Sequence, residues 1–245
     1  MNEIIMNDLP ELPFDVEESI NQLRVNLSFA GVDTKVIFVT STVPNEGKSF
    51  ICMQLWRSLA SIDRRAILID ADMRMSEMRN DYGFSMQTGY AGIAHYLSGQ
   101  ADVNDVVYST NVPNGYVVPV TNLIANPAPL LESDRFEKLI EACRKTFDYV
   151  IIDTPPLGSV ADALNISRYC DGGILVVRSD GVSRKLVQNS VASLKRAGSP
   201  LLGIVLNRVN MRQRGNYYYK SYYKYGYGAD YYHSDGKHKK RKKKK

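Results

Sequence analysis

Residues 35–49 hold the side chains best suited to chemistry, in the sequence KVIFVTSTVPNEGKS. The β-branched and aromatic run from Val36 to Thr40 predicts a buried strand, and the apolar pattern that begins at Phe50 predicts a helix. The loop between them ends in Gly47-Lys48-Ser49. A loop of this kind presents backbone N–H groups and the positive end of a helix to phosphates. The pattern therefore predicts a phosphate-binding loop.

In such a loop, Lys48 would reach the terminal phosphates and the hydroxyl of Ser49 would hold Mg²⁺. The usual first glycine, five positions before Gly47, is Thr42 in this chain. The alternative is an ordinary strand-to-helix turn in which the serine caps the helix. If the loop does bind a nucleotide, the residues that cradle its phosphates are Pro44, Asn45, Glu46, Gly47, Lys48, Ser49 and Phe50.

Two further apolar runs end in acidic residues. Asp70 and Asp72 follow the run 66–69 and, being two apart, project to the same side while the chain stays extended. Asp153 ends the second run, and an acid in that place commonly binds Mg²⁺ beside a phosphate loop. A cation such as Arg74 would relieve the repulsion between the paired carboxylates. Ser49, Asp70, Asp72 and Asp153 are thus the candidate metal ligands, although the paired acids alone could be an exposed turn.

Strands and helices alternate along the chain, which predicts a doubly wound, mainly parallel α/β sheet. Right-handed crossovers bring the carboxyl ends of all parallel strands to one edge, where such sheets bind ligands. Asn207 follows the last strand at that edge, where its amide could contact an adenine or simply form a turn. Pro119 suggests an edge strand. Beyond the segments above, we predict helices over 15–29, 93–97, 130–146 and 183–196, and strands over 116–120, 173–177 and 201–206.

Basic residues are concentrated at one end of the chain. Residues 237–245 carry eight of the 31 Lys and Arg residues and no acid, so 26 acids outnumber the remaining 23 bases. This argues against a nucleic-acid groove on the folded domain. The three cysteines form no CxxC or Cys/His cluster, so neither a disulfide framework nor a zinc site is indicated. No run approaches the roughly 18 apolar residues of a membrane span.

Tyrosines are concentrated just before the basic end. With no aliphatic residue beyond Ala229, residues 217–232 predict a disordered tail. We therefore divide the chain into an irregular lead-in (1–14), a folded domain (15–210), a tyrosine cluster (211–236) and a polybasic end (237–245). The nine tyrosines of the cluster are Tyr217, Tyr218, Tyr219, Tyr222, Tyr223, Tyr225, Tyr227, Tyr231 and Tyr232.

Taken together, these segments resemble the bacterial tyrosine kinases of capsular and exopolysaccharide synthesis, over roughly residues 15–232. The loop Ser41-x-x-Pro44-x-Glu46-Gly47-Lys48-Ser49 is similar to that family's variant phosphate loop, which also lacks the first glycine. Residues 67–74 match its second acidic motif, and residues 147–156 match its Walker B segment. The tyrosine cluster matches its autophosphorylation sites.

The resemblance implies an ATP- and Mg²⁺-dependent tyrosine kinase that phosphorylates the cluster of a neighbouring subunit. It implies catalytic roles for Lys48, Asp70, Asp72 and Arg74, with Asp72 as the base near the γ-phosphate. It also implies three partners: a membrane-spanning polysaccharide co-polymerase that activates the kinase, a cognate tyrosine phosphatase, and further copies in a ring-shaped octamer. The chain would then be cytoplasmic and would reach the inner face of the plasma membrane through its activator.

Two positions depart from the family pattern. The family often has glycine where Asn45 stands, and its packing helix carries Glu-x-x-Arg-x-x-Arg where this chain has Glu18, Asn21 and Arg24. The second departure bears on the expected octamer. The polybasic end has no counterpart among these motifs, and it is either a solvated tail or an anchor to anionic lipid.

Two other functions compete with the kinase. ATPases of cell-division siting and plasmid partition share the loop pattern, but they carry a signature lysine where this chain has Val43. Such an ATPase would hydrolyse ATP without phosphorylating protein. In a third, non-enzymatic hypothesis, the Tyr/Lys-rich tail binds RNA or polyphosphate beside a degenerate loop. The tyrosine cluster and the missing lysine favour the kinase.

Overall fold

A mainly parallel sheet runs through the part of the chain that the computed structural model describes, residues 2–86 and 90–209. Its spatial order is β4-β1-β5-β6-β3-β7-β2-β8-β9, and only the pairs β4–β1 and β5–β6 are antiparallel. This confirms the predicted fold class. The strands are β1 (Glu3–Met6), β2 (Val36–Ser41), β3 (Ala66–Asp70), β4 (Phe84–Met86), β5 (Tyr108–Thr110), β6 (Gly115–Val118), β7 (Tyr149–Asp153), β8 (Gly172–Arg178) and β9 (Leu201–Asn207).

Helices cover both faces of the sheet, which explains why its central strands are continuously apolar. In β2, Val36 and Phe38 belong to one hydrophobic cluster, whereas Ile37 and Val39 belong to the cluster on the other face. None of the helices in the described ranges has the length and apolar character needed to cross a bilayer. They are α1 (Phe14–Ser28), α2 (Lys48–Ala60), α3 (Met78–Asp81), α4 (Ile93–Leu97), α5 (Val103–Val106), α6 (Ala128–Leu131), α7 (Asp134–Thr146), α8 (Asp162–Ser167) and α9 (Arg184–Arg196).

Three of the predicted elements need correction. The lead-in over 1–14 is not wholly irregular, because β1 pairs with β4 and β5 and buries Ile4 and Met6. The segment around Pro119 is not an edge strand, because β6 lies between β5 and β3. Its proline follows the last strand residue, so the missing N–H costs no bond between the strands. The helix predicted over 130–146 is two helices, since Ser133 begins a new one.

The order of the strands positions the site. β3, β7 and β2 are adjacent and parallel, and Asp70 lies directly opposite Asp153 in the register of β3 and β7. β2 continues into the loop before α2, so the phosphate loop starts beside the strand that ends in Asp153. The sheet therefore brings together three segments that are far apart in sequence.

Candidate active site

The loop before α2 has the backbone shape of an anion-binding turn. Gly47 precedes the first residue of the helix with φ of 89°, and Asn45 has φ of 63°. Both values lie in the left-handed region, which glycine adopts freely and asparagine tolerates better than most residues. The asparagine therefore meets the backbone requirement that glycine meets in the resembling family. The turn leads into the N-terminus of α2, where unpaired N–H groups and the helix dipole favour a phosphate.

The buried side chain of Glu46 stabilises this loop by accepting backbone hydrogen bonds. Its side chain is only 2% exposed. Oε2 accepts hydrogen bonds from the backbone N–H groups of Thr42 (2.6 Å) and Val43 (2.9 Å). Oε1 accepts a third from the N–H of Arg178 at the end of β8 (3.0 Å). One buried carboxylate thus connects the start of the loop to its own end and to the sheet. The backbone N–H groups from residue 44 onward do not bind this carboxylate.

The neighbouring strand ends pack closely against the same loop. Gly158 donates its N–H to the carbonyl of Thr42 at 2.9 Å, and a Cβ at position 158 would lie 2.5 Å from that oxygen. Asn207 donates its side-chain N–H to the carbonyl of Glu46 at 2.9 Å. The structure therefore places Asn207 against the phosphate loop, and its contact with an adenine stays a prediction.

Lys48 lies among the carboxylates. Its Nζ is 2.9 Å from Oδ2 of Asp72, 3.7 Å from Oδ1 of Asp153 and 3.2 Å from Oγ of Ser49. Burial by itself would lower the pKa of Lys48, but the carboxylates of Asp153 and Asp72 outweigh it, and the pKa is raised. The ammonium group is therefore charged at every physiological pH and is available to compensate phosphate charge.

Asp70 lies in an environment that disfavours its charged form. It is fully buried, and its carboxylate accepts hydrogen bonds from the hydroxyl of Ser76 and from the N–H of Asp72. Burial and the neighbouring Asp153 raise the pKa of Asp70 to about 8, against the lowering effects of Ser76 and Lys48. Burial also raises the pKa of Asp153. The ammonium of Lys48 therefore does not fully offset the cost of ionising Asp70 and Asp153 in this buried site.

Arg74 is not the cation between Asp70 and Asp72. Its Nε and Nη2 bind the two oxygens of Asp162 at 2.7 and 3.3 Å, and its Nη1 donates to the carbonyl of Ala125 at 2.6 Å. Lys48 supplies the compensating charge instead, because the loop before α2 directs it toward the same sheet edge. The order of the strands, which decides this pairing, is not visible in the local sequence.

The donor atoms at this edge suit a magnesium ion. Mg²⁺ prefers oxygen ligands and binds one or two carboxylates together with water and substrate phosphates. Within residues 2–86 and 90–209, no group of three His, Cys, Asp or Glu side chains forms a complete metal cage by itself. A divalent cation would stabilise the ionised forms of these buried acids, whose pKa values are raised at Asp70 and Asp153. The oxygens of Ser49, Asp70, Asp72 and Asp153 therefore fit an ion that shares its ligands with a bound triphosphate.

Sequence reasoning missed several contributors to this region. Cys52 donates its thiol to Oδ1 of Asp153 at 3.5 Å, and burial raises the pKa of that thiol well above its usual range. Asp162 and Ser76 were not singled out either. The one local signal was helical spacing, which puts Cys52 one turn after Lys48 and on the same face of α2. The tyrosine cluster and the polybasic end lie outside the described residues.

The buried carboxyl of Asp70 predicts a pH-dependent stability. Its pKa is about 8 in the folded chain and about 4 when unfolded, so the folded state holds this proton more tightly. The contribution of this proton to stability is then fully present below about pH 4 and is lost as the pH rises through about 8, by on the order of 5 kcal/mol. We expect the nucleotide-free Asp70→Asn variant to melt at a higher temperature than the wild type at pH 9, and the difference to shrink toward pH 4.

Thermal unfolding between pH 4 and 9 measures this effect. Asp33→Asn is the matched control, because Asp33 is an exposed acid in the loop before β2. Its melting curve should follow that of the wild type throughout. Parallel pH profiles for Asp70→Asn and the wild type would show that Asp70 does not retain its proton in the folded chain.

The chain is similar in sequence to proteins of known function. A family model described as an AAA domain matches residues 34–183. The tyrosine-protein kinase CpsD of Streptococcus agalactiae is 42% identical over 194 residues, which cover 79% of this chain and 83% of that protein.

Solved structures are also similar to this chain. The kinase domain of the Escherichia coli tyrosine kinase ETK superposes with a TM-score of 0.73 at 29% identity, over 80% of this chain and 78% of that one. The septum site-determining protein MinD of Pyrococcus horikoshii, solved with Mg-ADP, shares the fold alone, with a TM-score of 0.60 at 22% identity over 72% and 71% of the two chains. Because the CpsD match spans most of both proteins, the chain belongs to the bacterial tyrosine kinases of capsular and exopolysaccharide synthesis, enzymes that transfer phosphoryl groups to tyrosine.

Proposed function

We propose that this kinase transfers the γ-phosphoryl group of ATP to the tyrosines of residues 217–232 on a neighbouring copy, and that it thereby regulates capsular or exopolysaccharide synthesis and export. The observation that carries the proposal is the convergence of Lys48 with Asp72 and Asp153 at the N-terminus of α2. A phosphate-binding turn and a cluster of metal-binding oxygens meet there, as phosphoryl transfer requires. A tail of polar and aromatic residues could supply the acceptor without unfolding the domain.

Each residue has a distinct role in this proposal. The amides of residues 44–50 hold the phosphates, and Lys48 compensates charge on the β- and γ-phosphates. Ser49, with Asp70, Asp72 or Asp153, would hold Mg²⁺, which when bound neutralises charge on the phosphate oxygens. Asn207 contributes to the nucleotide site through the carbonyl of Glu46. Arg74 acts away from the phosphates, since Asp162 and Ala125 occupy its guanidinium.

A general base is needed because a tyrosine phenol, with a pKa of about 10, is protonated at neutral pH. We assign this role to Asp72, whose Oδ2 is 2.9 Å from Lys48 and so lies beside the expected terminal phosphate. Replacing Asp72 by Asn should slow transfer by about 10²–10⁴-fold. Binding of Mg-ADP, followed by fluorescence of a labelled nucleotide, should persist because the loop and Lys48 remain in place and Ser49, Asp70 and Asp153 remain as metal ligands.

The exposed Asp33 provides the control, since Asp33→Asn changes the same chemical group at a residue that takes part in none of the contacts described above. Phosphorylation by Asp72→Asn at the wild-type rate would remove Asp72 from the role of base. A parallel loss of Mg-ADP binding would assign Asp72 to nucleotide binding instead.

The proposed partners follow the family. They are a membrane-spanning co-polymerase that activates the kinase at the inner face of the plasma membrane, a tyrosine phosphatase and further copies of this chain. In α1, Asn21 and Arg24 bind the hydroxyl of Ser58 in α2 at 3.2 and 3.0 Å, whereas Glu18 is exposed. This part of the expected packing motif is thus engaged within the chain, and the proposal of a ring octamer is best tested by sedimentation. Anionic lipid is the proposed partner of residues 237–245.

Incubation of the full chain with γ-labelled ATP and Mg²⁺ tests the function. We expect alkali-stable label in peptides from residues 217–232. To test transfer between copies, the donor carries phenylalanine at all nine cluster tyrosines and the acceptor carries Lys48→Met. Label in the acceptor supports transfer in trans. Free phosphate without labelled protein would favour a division-type ATPase, and neither product would favour a non-enzymatic tail.

A further inference from the structure

Arg74 and Asp162 form an ion pair that joins two loops of the site. Nε of Arg74 is 2.7 Å from Oδ2 of Asp162, and Nη2 is 3.3 Å from Oδ1, which is a bidentate arrangement. Asp162 is the first residue of α8 and only 2% exposed. It ends the loop that begins after Asp153, whereas Arg74 lies in the loop that begins after Asp70. The pair therefore links the segments that follow β3 and β7.

The same guanidinium also holds a third loop. Nη1 of Arg74 donates to the carbonyl of Ala125 at 2.6 Å, and the N–H of Ile124 donates to the carbonyl of Met73 at 2.7 Å. Residues 121–125 follow β6, which is the other neighbour of β3 in the sheet. A single arginine thus connects the loops after three adjacent strands, β6, β3 and β7.

This connection matters for Asp72 because Asp72 lies beyond the end of β3. The N–H of Ala71 still donates to the carbonyl of Asp153 in β7 at 2.9 Å, and the N–H of Asp72 donates to Oδ1 of Asp70. The carboxylate of Asp72 contacts Lys48 and accepts a local bond from the N–H of Met75 at 3.2 Å. Arg74 is two residues away and is anchored to a buried carboxylate. Asp72 thus lies between the end of β3 on one side and the anchored Arg74 on the other, so its position relative to Lys48 depends in part on where Arg74 is held. Displacements of about 1 Å at a reacting group can cost about 10²-fold in rate.

We propose that Arg74 and Asp162 are a positioning pair that holds Asp72 against Lys48 for phosphoryl transfer, without either residue contacting the nucleotide. This inference rests on the proposed function in assigning the chemistry to Asp72. It differs from the family expectation in giving Arg74 a role through Asp72 rather than on the phosphates, and it adds Asp162 to the residues that the reaction needs.

Conservative variants of the full chain test the pair. Asp162→Asn keeps the volume but removes the charge, and Arg74→Lys keeps the charge but loses the planar, three-contact geometry. Each should slow labelling of the tyrosine cluster by about 10- to 100-fold while changing the KM for ATP by less than about threefold. The double variant should lose no more than the slower single variant, because both changes break one interaction. Asp162→Glu should retain more activity than Asp162→Asn.

Matched controls separate this role from general effects of charge. Asp134→Asn removes the acid at the first position of another helix, where it is exposed, and Arg196→Lys changes an exposed arginine in α9. Both controls should label the cluster at the wild-type rate. Melting temperatures of all variants are measured alongside, since a purely structural role would lower stability and nucleotide binding together.

Hydrogen–deuterium exchange of the nucleotide-free chain tests whether the ion pair holds the backbone around Asp72 in place. In Asp162→Asn, the amides of Met75 and Ile124 should exchange faster, because their hydrogen bonds to Asp72 and Met73 depend on the positioning pair. Amides of α7 should be unchanged. Unchanged exchange at Met75 and Ile124, or labelling within threefold of the wild type, would overturn the inference, as would an equal loss of transfer, ATP binding and stability. If the wild type itself labels no tyrosine, the proposed function fails. The exchange measurement still decides whether the positioning pair holds the backbone around Asp72.

Discussion

Lys48→Met is expected to reduce tyrosine labelling by at least about 10²–10³-fold, the range found when one charge-stabilising group is removed from an active site. Lys48 supplies the ammonium closest to Asp72 and Asp153 in the described contacts, and methionine keeps a similar chain length without the charge. The loss should appear in both nucleotide affinity and transfer rate, because the ammonium would contact the phosphates before and during transfer.

Labelling with γ-labelled ATP and titration with a fluorescent ADP measure the two parts separately. Lys138→Met in α7 is the matched control, because Lys138 is exposed and its replacement removes the same charge. It should behave as the wild type in both assays. A Lys48→Met chain that labels the cluster at the normal rate would contradict the whole assignment of the phosphate loop.

Glu46→Ala is expected to have the second large effect, on both stability and nucleotide binding. Glu46 accepts three backbone hydrogen bonds, and alanine leaves these N–H groups without their partner. At about 1–3 kcal/mol for each unsatisfied buried donor, the free energy of unfolding should fall by about 3 kcal/mol or more. We also expect ATP affinity to fall by at least about tenfold, because a loop that is no longer braced must be ordered by the ligand.

The stabilities of the wild type, Glu46→Gln and Glu46→Ala show whether the hydrogen bonds of Glu46 or only its charge stabilise the loop. Glu46→Gln keeps an oxygen acceptor but places an NH₂ group on the other arm, so it should lie between the wild type and Glu46→Ala in denaturant unfolding. Glu137→Ala, at an exposed position of α7, should leave both measurements unchanged. Equal stability of Glu46→Ala and the wild type would show that the three bonds do not hold the loop.

Local patterns were sufficient for the elements that carry the site. β2, β3 and β7 are each marked by four or more consecutive apolar residues, because both faces of a parallel sheet are covered. The short elements β1, β4 and β5 escaped prediction. In β1, alternate residues are buried over only four positions, and such a pattern is too short to separate from an irregular segment. Its stability comes from pairing with β4 and β5, which lie far along the chain.

The amino-acid sequence by itself determined the phosphate loop, the acids that end the strands, and the α/β class, because each depends on residues that are neighbours in the chain. Only the tertiary structure decided which charges meet. Lys48 rather than Arg74 compensates Asp72, Glu46 reaches Arg178 across 132 positions, and Arg74 reaches Asp162 across 88. The physical reason is that the order of strands in the sheet sets these contacts, and this order results from packing both faces of the sheet at once rather than from any local preference.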